Sequence, residues 1–283
     1  MEPDITINQL ELGYESGHPV ISGLTTTLSR GKIYGLLGLN GSGKTTLFKA
    51  LAGLIKPKKG EIISLGYNPF KKEKEYLRQM IYVPINTKFP DMTIARFAKA
   101  YGILWPNFSQ SDFEAMIENL NVDMTNKLNS LSTGEQKKCM VAFALSANTP
   151  LLMLDEPMTG LDIISRKVLL EAIVMNQKPE QTLIISSNQV EEFENIYTDI
   201  LILYDGKLLI NSTIDDITSK FAFHTHGSHP NTLFQEGLRS ISLNRDNEYT
   251  DIDLQTLFYA ACSSDKFRKT LYDFCSTIQT SSK

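Results

Sequence analysis

The sequence is poor in cysteine, and it has neither a basic excess nor a long apolar run. Its 283 residues include three cysteines, Cys139, Cys262 and Cys275, that lie far apart. An odd number of distant cysteines offers neither the framework of a disulfide-stapled domain nor the close pairs of a zinc site. We therefore expect a chain that folds by burying an apolar core in a reducing compartment, the cytoplasm, and its length is ample for that.

Charge and hydropathy exclude two further classes of protein. The formal net charge of −4 lacks the basic excess that a nucleic-acid surface requires, so we expect no nucleic-acid partner. No stretch approaches the roughly 18 apolar residues of a membrane span, and the apolar segment 200–210 is interrupted by Asp205-Gly206, a hairpin turn signal. The first four residues, MEPD, are acidic and lack the pattern of a signal peptide. Any role at a membrane is therefore predicted to depend on a separate partner.

What the sequence does contain is a glycine-rich turn, GLNGSGKTT. Residues 33–37 before it predict a buried strand, and residues 47–52 after it predict a helix. In this context the pattern G-x-x-x-x-G-K-[ST] predicts a phosphate site, because glycines let backbone N–H groups close around phosphate oxygens beside a helix N-terminus. We expect Lys44 to reach the β- and γ-phosphates of a nucleoside triphosphate, and the Thr45 hydroxyl to bind Mg²⁺. The predicted binding residues of the turn are Gly38, Leu39, Asn40, Gly41, Ser42, Gly43, Lys44, Thr45 and Thr46.

Strand-like and helical segments alternate on both sides of this turn. Strands are predicted at residues 4–12, 20–28, 33–37, 61–65, 81–84, 151–154, 182–186, 200–204 and 207–210. The alternation favours an α/β fold with a largely parallel sheet and helices on both faces. Helical patterns alone fill residues 93–147, which predicts a helical insertion with its aromatic side chains used for packing. Short helices are also predicted at 162–177 and 189–197.

Residues 213–283 are less regular. We predict a helix at 213–221 and a strand at 240–243. His224, His226 and His229 lie close together near a glycine and a proline. No cysteine or carboxylate stands nearby to complete a metal site, so a loop is favoured over a metal site.

A second motif narrows the class of nucleotide-binding protein, since the glycine turn alone fits a kinase, a GTPase or an ATPase. The segment Leu131–Gln136, LSTGEQ, precedes Asp155-Glu156 at the end of an apolar run. Together with Tyr14, TGLD at 159–162 and SSN at 186–188, it resembles the ATP-binding cassette (ABC) ATPase family over residues 4–212. The resemblance implies a P-loop NTPase (RecA-like) core with an N-terminal antiparallel β-subdomain and an inserted helical subdomain. The expected division is 1–86 with 149–212 for the core, 87–148 for the helical subdomain, and 213–283 for a C-terminal extension.

The resemblance also implies a role for each matching residue. Tyr14 would stack on adenine, Asp155 would help hold Mg²⁺, and Glu156 would polarise the attacking water. The signature residues Ser132, Thr133, Gly134 and Glu135 would contact ATP held by a second cassette, with Thr133 and Glu135 as mild departures from the usual residues. Asp162 would lie at the dimer seam. ATP and Mg²⁺ are the expected ligands, and a homodimer or heterodimer of cassettes is the expected working unit.

Two departures from the family pattern are less mild. Ile85-Asn86 stands where the family usually has a glutamine that senses Mg²⁺ and water, and Asn86 is left as a possible Mg²⁺ contact. Asn188 replaces the histidine that usually contacts the γ-phosphate. Because an asparagine amide carries no positive charge, we expect hydrolysis slower than is usual for the family by about ten- to a thousandfold.

The tail segment DIDLQTLF at 251–258 resembles the closing segment of ATPase subunits of ABC-2 type exporters. This favours an exporter subunit that acts through a separate transmembrane permease at the inner face of the cell membrane, with residues 86–97 near the contact. An importer ATPase, an ABC protein acting on ribosomes, DNA or cluster assembly, and a slow or non-hydrolysing ATP-dependent switch are the alternatives.

Overall fold

The computed structural model describes residues 3–14, 17–227, 229, 231–245 and 248–281. Met1, Glu2 and Pro230, on which parts of the interpretation above depend, lie outside these residues. The strands are β1 (Pro3–Leu12), β2 (Ile21–Ser29), β3 (Ile33–Gly38), β4 (Lys59–Ser64), β5 (Met80–Val83), β6 (Leu151–Asp155), β7 (Thr182–Ser187), β8 (Asp199–Tyr204), β9 (Lys207–Thr213), β10 (Phe221–His224), β11 (Thr232–Glu236) and β12 (Arg239–Leu243). The α-helices are α1 (Lys44–Leu51), α2 (Lys74–Leu77), α3 (Ile94–Gly102), α4 (Gln110–Asn119), α5 (Thr133–Ser146), α6 (Ile163–Asn176), α7 (Ile214–Lys220), α8 (Leu254–Ser263) and α9 (Asp265–Ser281).

A six-stranded sheet forms the centre of the molecule, in the order β5-β6-β7-β3-β8-β9. Its first five strands pair in parallel, and only β9 runs antiparallel, beside β8. Every residue of β6 and β7 is buried, as expected of strands that are covered on both faces. The carboxyl ends of β3, β6 and β7 therefore come together at one edge, which is where an open α/β sheet binds its ligand.

The β8–β9 hairpin turns at Asp205-Gly206, as the sequence predicts. Both residues have positive φ, 47° and 69°, which matches the type I′ turn that suits the twist of a two-residue hairpin. The carbonyl of Gly206 accepts a hydrogen bond from the N–H of Ser22 at the start of β2. The turn thus also connects the central sheet to the small antiparallel sheet β2-β1-β4.

Two apolar cores lie on the two faces of the central sheet. One unites the β2-β1-β4 sheet, α1 and one face of the central strands. The other is continuous from the opposite face of these strands through α3, α4 and α5 to the C-terminal elements. The three helices inserted between β5 and β6 therefore share a core with the sheet. The predicted fold class, including both subdomains, agrees with this architecture.

The aromatic side chains of the helical insertion pack together, as predicted. Phe143 of α5 is their centre, and it contacts Phe97, Trp105, Phe108 and Phe113 with ring centroids 4.9–6.0 Å apart. The Trp105 indole also donates a hydrogen bond to the carbonyl of Met80 at 3.0 Å. This bond ties the insertion to β5, the strand that leads into the nucleotide site.

The C-terminal extension is more ordered than the sequence indicates. The helix and the strand predicted there are present as α7 and β12, but β12 belongs to a three-stranded antiparallel sheet, β10-β12-β11, that the sequence analysis missed. His224 was expected in a loop and instead ends β10. Its Nε2 lies 2.8 Å from the Ser242 Oγ, and its ring stacks on that of His229. Within the described residues no cluster of three or more His, Cys, Asp or Glu side chains could hold a metal ion.

The helix predicted at 189–197 is also wrong in extent. Only Val190–Phe193 is helical, as a short 3-10 turn. The turn includes the charged residues Glu191 and Glu192, and Glu192 pairs with Arg166 of α6.

Candidate active site

The glycine-rich turn connects β3 to α1 and leaves space for an anion. Gly43 caps α1 with φ of 111°, a backbone conformation that residues with a Cβ rarely adopt. A Cβ on Gly38 would lie 2.3 Å from the Ser42 Oγ, so only glycine fits there. The Ser42 hydroxyl is buried and has no hydrogen-bonding partner among the described residues. A buried hydroxyl beside the backbone N–H groups at a helix N-terminus fits a phosphate oxygen as the missing acceptor.

A cavity of about 360 Å³ opens over this turn. It is lined by Tyr14, Val20, Leu39, Asn40, Gly41, Ser42, Gly43, Lys44, Thr45, Thr46, Ile85 and Glu156. The Tyr14 side chain is half exposed, with the Lys49 Nζ 5.9 Å from its ring centroid. The flat ring at the mouth of the cavity is therefore placed where a base can stack.

Lys44 is buried at the base of the cavity. Its Nζ donates a 2.7 Å hydrogen bond to the carbonyl of Gly38 and lies 3.4 Å from the Glu156 Oε1. In this arrangement the Glu156 carboxylate is the counter-ion of the lysine. A triphosphate entering the cavity would compete with Glu156 for the same ammonium group.

Asp155, at the end of β6, accepts three hydrogen bonds from hydroxyl groups. The Oδ2 accepts from the Thr45 Oγ1 at 2.8 Å and from the Tyr82 Oη at 3.1 Å, while the Oδ1 accepts from the Ser186 Oγ at 2.5 Å. Burial, and then the Asp155 charge, raise the pKa of Tyr82 well above its ordinary value, so its hydroxyl keeps the proton that it donates. These bonds fix the carboxylate next to Thr45, an all-oxygen pair that suits Mg²⁺.

Sequence reasoning missed the contribution of Tyr82. The tyrosine lies on β5, which pairs directly with β6, and its ring packs edge-on against Phe48. A single tyrosine in the short apolar strand MIYV gives no sign that its hydroxyl reaches a carboxylate. Only the pairing of β5 with β6 brings the two together.

Glu156 has a strained backbone that is held from several sides. Its φ is 49°, in the left-handed region that a residue with a Cβ seldom occupies. Its N–H donates to both the Oγ and the carbonyl of Ser186, at 3.0 and 3.2 Å. The Oε2 accepts from the backbone N–H of Asn188 at 3.3 Å and from the Thr159 hydroxyl at 3.4 Å. These contacts aim the carboxylate into the cavity.

One departure from the family pattern lies at the nucleotide cavity and the groove beside it, and the other directly follows β7. Ile85 lines the nucleotide cavity, whereas Asn86 lines a neighbouring groove of about 200 Å³ that also includes Asp155. The structure therefore places an apolar side chain where a sensing amide was expected, and the role of Asn86 as a Mg²⁺ contact stays a prediction. The Asn188 Nδ2 donates to the Asn40 Oδ1 at 3.3 Å and so connects the end of β7 to the glycine-rich turn.

The signature residues lie at the N-terminus of α5. Ser132 caps this helix in a capping box, in which its Oγ accepts from the Glu135 N–H and its own N–H donates to the Glu135 Oε2 at 2.9 Å. The Ser132 hydrogen bonds hold the pKa of Glu135 below its usual range. Ser132 and Thr133 are exposed and Gly134 is partly exposed. Asp162, the predicted seam residue, is likewise exposed, and it caps α6 by accepting from the Ser165 N–H at 2.9 Å.

Comparisons with known proteins decide the family. The ABC transporter family matches residues 21–159 of this chain. The chain is 28% identical over 219 residues to the ABC transporter ATP-binding protein YtrB of Bacillus subtilis (strain 168), covering 77% of this chain and 74% of YtrB. It is 31% identical over 219 residues to YcbN of the same organism, which is described as an uncharacterized ABC transporter ATP-binding protein, covering 75% of this chain and 70% of YcbN. This chain is an ABC transporter ATP-binding protein.

A solved ATP-binding subunit of an ABC transporter has the same fold. It superposes with a TM-score of 0.68 at 25% identity, over 75% of this chain and 91% of that one. The resemblance read from the sequence motifs and the P-loop fold class are therefore confirmed, and the ABC protein binds ATP and is an ATPase. None of the helices in the described part of the chain combines the length and apolar character that crossing a bilayer requires.

Proposed function

We propose that this ABC protein is the ATPase subunit of an exporter, and that it acts at the cytoplasmic face of the membrane through a separate transmembrane permease. In this proposal ATP brings two cassettes together, and hydrolysis separates them again. The movement passes to the permease through the inserted helices.

The observation that carries the two-cassette ATP site is the position of the signature residues. Ser132 and Gly134 do not line the nucleotide cavity of their own chain within the described residues. Ser132 is instead exposed at a helix N-terminus, whose partial positive charge favours an anion. A triphosphate held by another cassette would satisfy that helix end, so each ATP site is completed by a second chain. The second cassette can be a copy of this chain or a related one.

Different residues at the cavity are proposed to bind the phosphates, hold Mg²⁺ and activate water. The glycine-rich turn and Lys44 bind the phosphates, while Thr45 and Asp155 would hold Mg²⁺, which neutralises charge on the phosphate oxygens when bound. Glu156 orients and polarises the attacking water. Asn188 contributes one neutral hydrogen bond toward the γ-phosphate, and Ile85 contributes none. Tight binding with slow hydrolysis follows from this combination.

The proposed permease contact is the groove beside the nucleotide cavity. It is lined by Asn86, Thr87 and Phe89 on one side and by Gln136 and Met140 of α5 on the other. Asp155 also lines it, so an element seated there would adjoin the metal-binding carboxylate. This arrangement supports residues 86–97 as the segment that meets the permease.

Export is supported by the tail. The segment that resembles the closing segment of ABC-2 type exporters begins α8, where Leu254 and Leu257 are fully buried. The Leu254 N–H donates to the Glu194 Oε1 at 2.7 Å, which docks α8 on the turn after β7. An importer ATPase is the alternative for direction.

Sizing chromatography tests the two-cassette site. With Glu156→Gln to prevent hydrolysis, ATP and Mg²⁺ should shift the protein, alone or with its natural partner cassette, to twice the monomer mass. Ser132→Asp in the same background keeps a good helix cap but adds a carboxylate where the triphosphate would dock, so it should stay monomeric. A Glu156→Gln protein that remains monomeric with ATP under both conditions would contradict the proposal.

Direction is tested with the permease, which is to be sought as a membrane protein encoded next to this chain and purified with it. In proteoliposomes with ATP outside, an exporter moves its cargo from the outside to the lumen, and its ATPase needs no additional binding protein. Stimulation only by a cargo-loaded binding protein in the lumen would favour the importer.

The switch alternative is favoured by Ile85 and Asn188 and opposed by Glu156. Turnover measured with and without the permease distinguishes a transporter ATPase from a switch, because a transporter ATPase should hydrolyse ATP faster when it is bound to its permease.

A further inference from the structure

The catalytic loop, residues 156–162, carries Glu156, and its backbone is held by a lysine from the signature helix α5 of the same chain. Lys137 lies one turn into α5, and its Nζ donates to the carbonyls of Glu156 at 3.0 Å and of Thr159 at 2.5 Å. The side chain is partly buried. Burial lowers the pKa of Lys137, and the neighbouring carboxylates of Glu156, Asp155 and Glu192 oppose that effect.

The loop needs such a clamp because the backbone of Glu156 is strained. Glu156 has φ of 49°. A residue with a Cβ stays in this conformation only when its surroundings determine it. The N–H of Glu156 is held by Ser186, whereas its carbonyl is held by Lys137. The two contacts fix both peptide groups that flank the catalytic side chain.

The far end of the loop is held in the same way by a second cation. The Arg166 Nε donates to the carbonyl of Leu161 at 2.9 Å, and its guanidinium also pairs with Glu192 and with Gln189. Arg166 therefore fastens the loop to α6 and to the turn after Asn188, whereas Lys137 fastens it to α5. Of the two, only Lys137 contacts the residue that carries the catalytic carboxylate.

We infer that Lys137 is a positioning residue for ATP hydrolysis, which transmits the position of the signature helix to the backbone of Glu156. The inference rests on the proposed roles of Glu156 and of the signature residues. When α5 shifts as Ser132 meets a triphosphate, Lys137 shifts the carbonyls of Glu156 and Thr159 with it. Each cassette thereby links the ATP it contacts in its partner to the carboxylate that acts on its own ATP.

The test replaces Lys137 with methionine, which keeps an unbranched side chain of nearly the same length but removes its donors and charge. Single-turnover hydrolysis should slow by about tenfold or more, because a small misplacement of a reacting group is costly. The Kd for a fluorescent ATP analogue should change by less than about twofold, since Lys137 does not line the nucleotide cavity. Amide hydrogen exchange of residues 156–162 should accelerate, with or without ATP.

Two further variants separate positioning from general structure. Lys137→Arg keeps the charge and the donors, and it should recover most of the hydrolysis rate and of the exchange protection. Lys99→Met removes an equally charged but exposed side chain from α3 and should leave both measurements unchanged. Where Lys137→Met does not fold, Lys137→Gln, with a neutral and shorter donor, takes its place with the same expected direction.

Two outcomes would overturn the inference. One is a Lys137→Met protein with wild-type hydrolysis and wild-type exchange in the loop. The other is a parallel loss of rate, ATP affinity and melting temperature, with no rescue by arginine, which would indicate only a structural role. Glu156→Gln is measured alongside, because hydrolysis that survives that change would refute the proposed function of Glu156 itself.

Discussion

The two sides of the nucleotide cavity are built differently. On the phosphate-binding side, Lys44, Thr45 and Asp155 are each held in place by hydrogen bonds within the chain. By contrast, Ile85 presents an apolar surface to the cavity, and the Asn188 amide, just after β7, is neutral and donates a hydrogen bond to Asn40 of the glycine-rich turn. Binding depends mainly on the first side, and the chemistry of phosphoryl transfer depends on both. The difference indicates that ATP affinity can be kept in this chain while turnover is reduced.

The largest expected effect is that of Glu156→Gln. Hydrolysis should fall at least about a hundredfold, since the amide cannot polarise water as a carboxylate does. ATP affinity should be unchanged or higher, because the ion pair between Lys44 and Glu156 no longer competes with the phosphates. Phosphate release and equilibrium binding of a fluorescent ATP analogue measure the two quantities. Loss of ATP binding in Glu156→Gln would contradict the proposal that affinity and hydrolysis depend on different residues of the site.

A smaller effect is expected at Asn188. Asn188→His should raise turnover about tenfold, because a histidine can supply a charge-assisted contact to the transferring phosphoryl group. Asn188→Ala should lower the remaining rate severalfold, since it removes the one neutral donor. Steady-state phosphate release reports both, with Asn107→His, an exposed asparagine in the helical insertion, as the control. Wild-type turnover typical of the family that neither Asn188 variant alters would refute the slow-site interpretation.

Tyr82→Phe should have a moderate effect on the phosphate-binding side. The variant removes one hydroxyl from Asp155, so the free energy of unfolding should fall by about 1 to 2 kcal/mol. The Mg²⁺ concentration needed for half-maximal ATP binding should rise severalfold, because Asp155 is less well fixed. Urea unfolding and a Mg²⁺ titration measure these changes. Tyr101→Phe, at a half-exposed tyrosine stacked on Phe97, is the matched control and should change neither value.

The smallest effect concerns two thiols away from the reacting atoms. Burial raises the pKa of Cys139, on α5, to about 12 and that of Cys262, on α8, to about 11. Only the thiolate reacts, so at pH 8 both should alkylate far more slowly than in denatured protein, and Cys262 about tenfold faster than Cys139. Mass spectrometry of iodoacetamide-treated protein, with and without ATP, gives the rates. Rapid labelling of Cys139 on ATP binding would show that α5 opens rather than shifting as a packed helix.

Much of the fold could be predicted from the sequence because its signals are local. The apolar runs predicted as strands form β3, β6 and β7, and the region predicted as helical, 93–147, contains α3, α4 and α5, which Thr93, Ser109 and Ser132 cap. The C-terminal sheet was largely missed because β10 and β11 are short. Their residues, FAFH and TLFQE, show no sustained alternation, so pairing with β12 is what makes them strands.

The candidate site divides in the same way. The residues of the glycine-rich turn, Asp155 and Glu156 are adjacent in the chain to strong strand and helix signals, so their place at the sheet edge followed from the sequence. Tyr82 and Lys137 instead contact residues that are distant in the chain. The Tyr82 hydroxyl reaches Asp155 from the neighbouring strand, and the Lys137 ammonium group reaches Glu156 from another helix. No spacing in the sequence encodes such pairs.

By itself, the sequence determined the family, the phosphate-binding turn and the two departures at Ile85 and Asn188, because each is carried by a contiguous motif. Only the tertiary structure decided that Ile85 rather than Asn86 lines the nucleotide cavity, and that the signature residues lie outside it. It also decided which cations hold the catalytic loop. The physical reason is that a motif fixes backbone conformation and residue type locally, whereas the direction of a side chain depends on what packs against it from elsewhere in the chain.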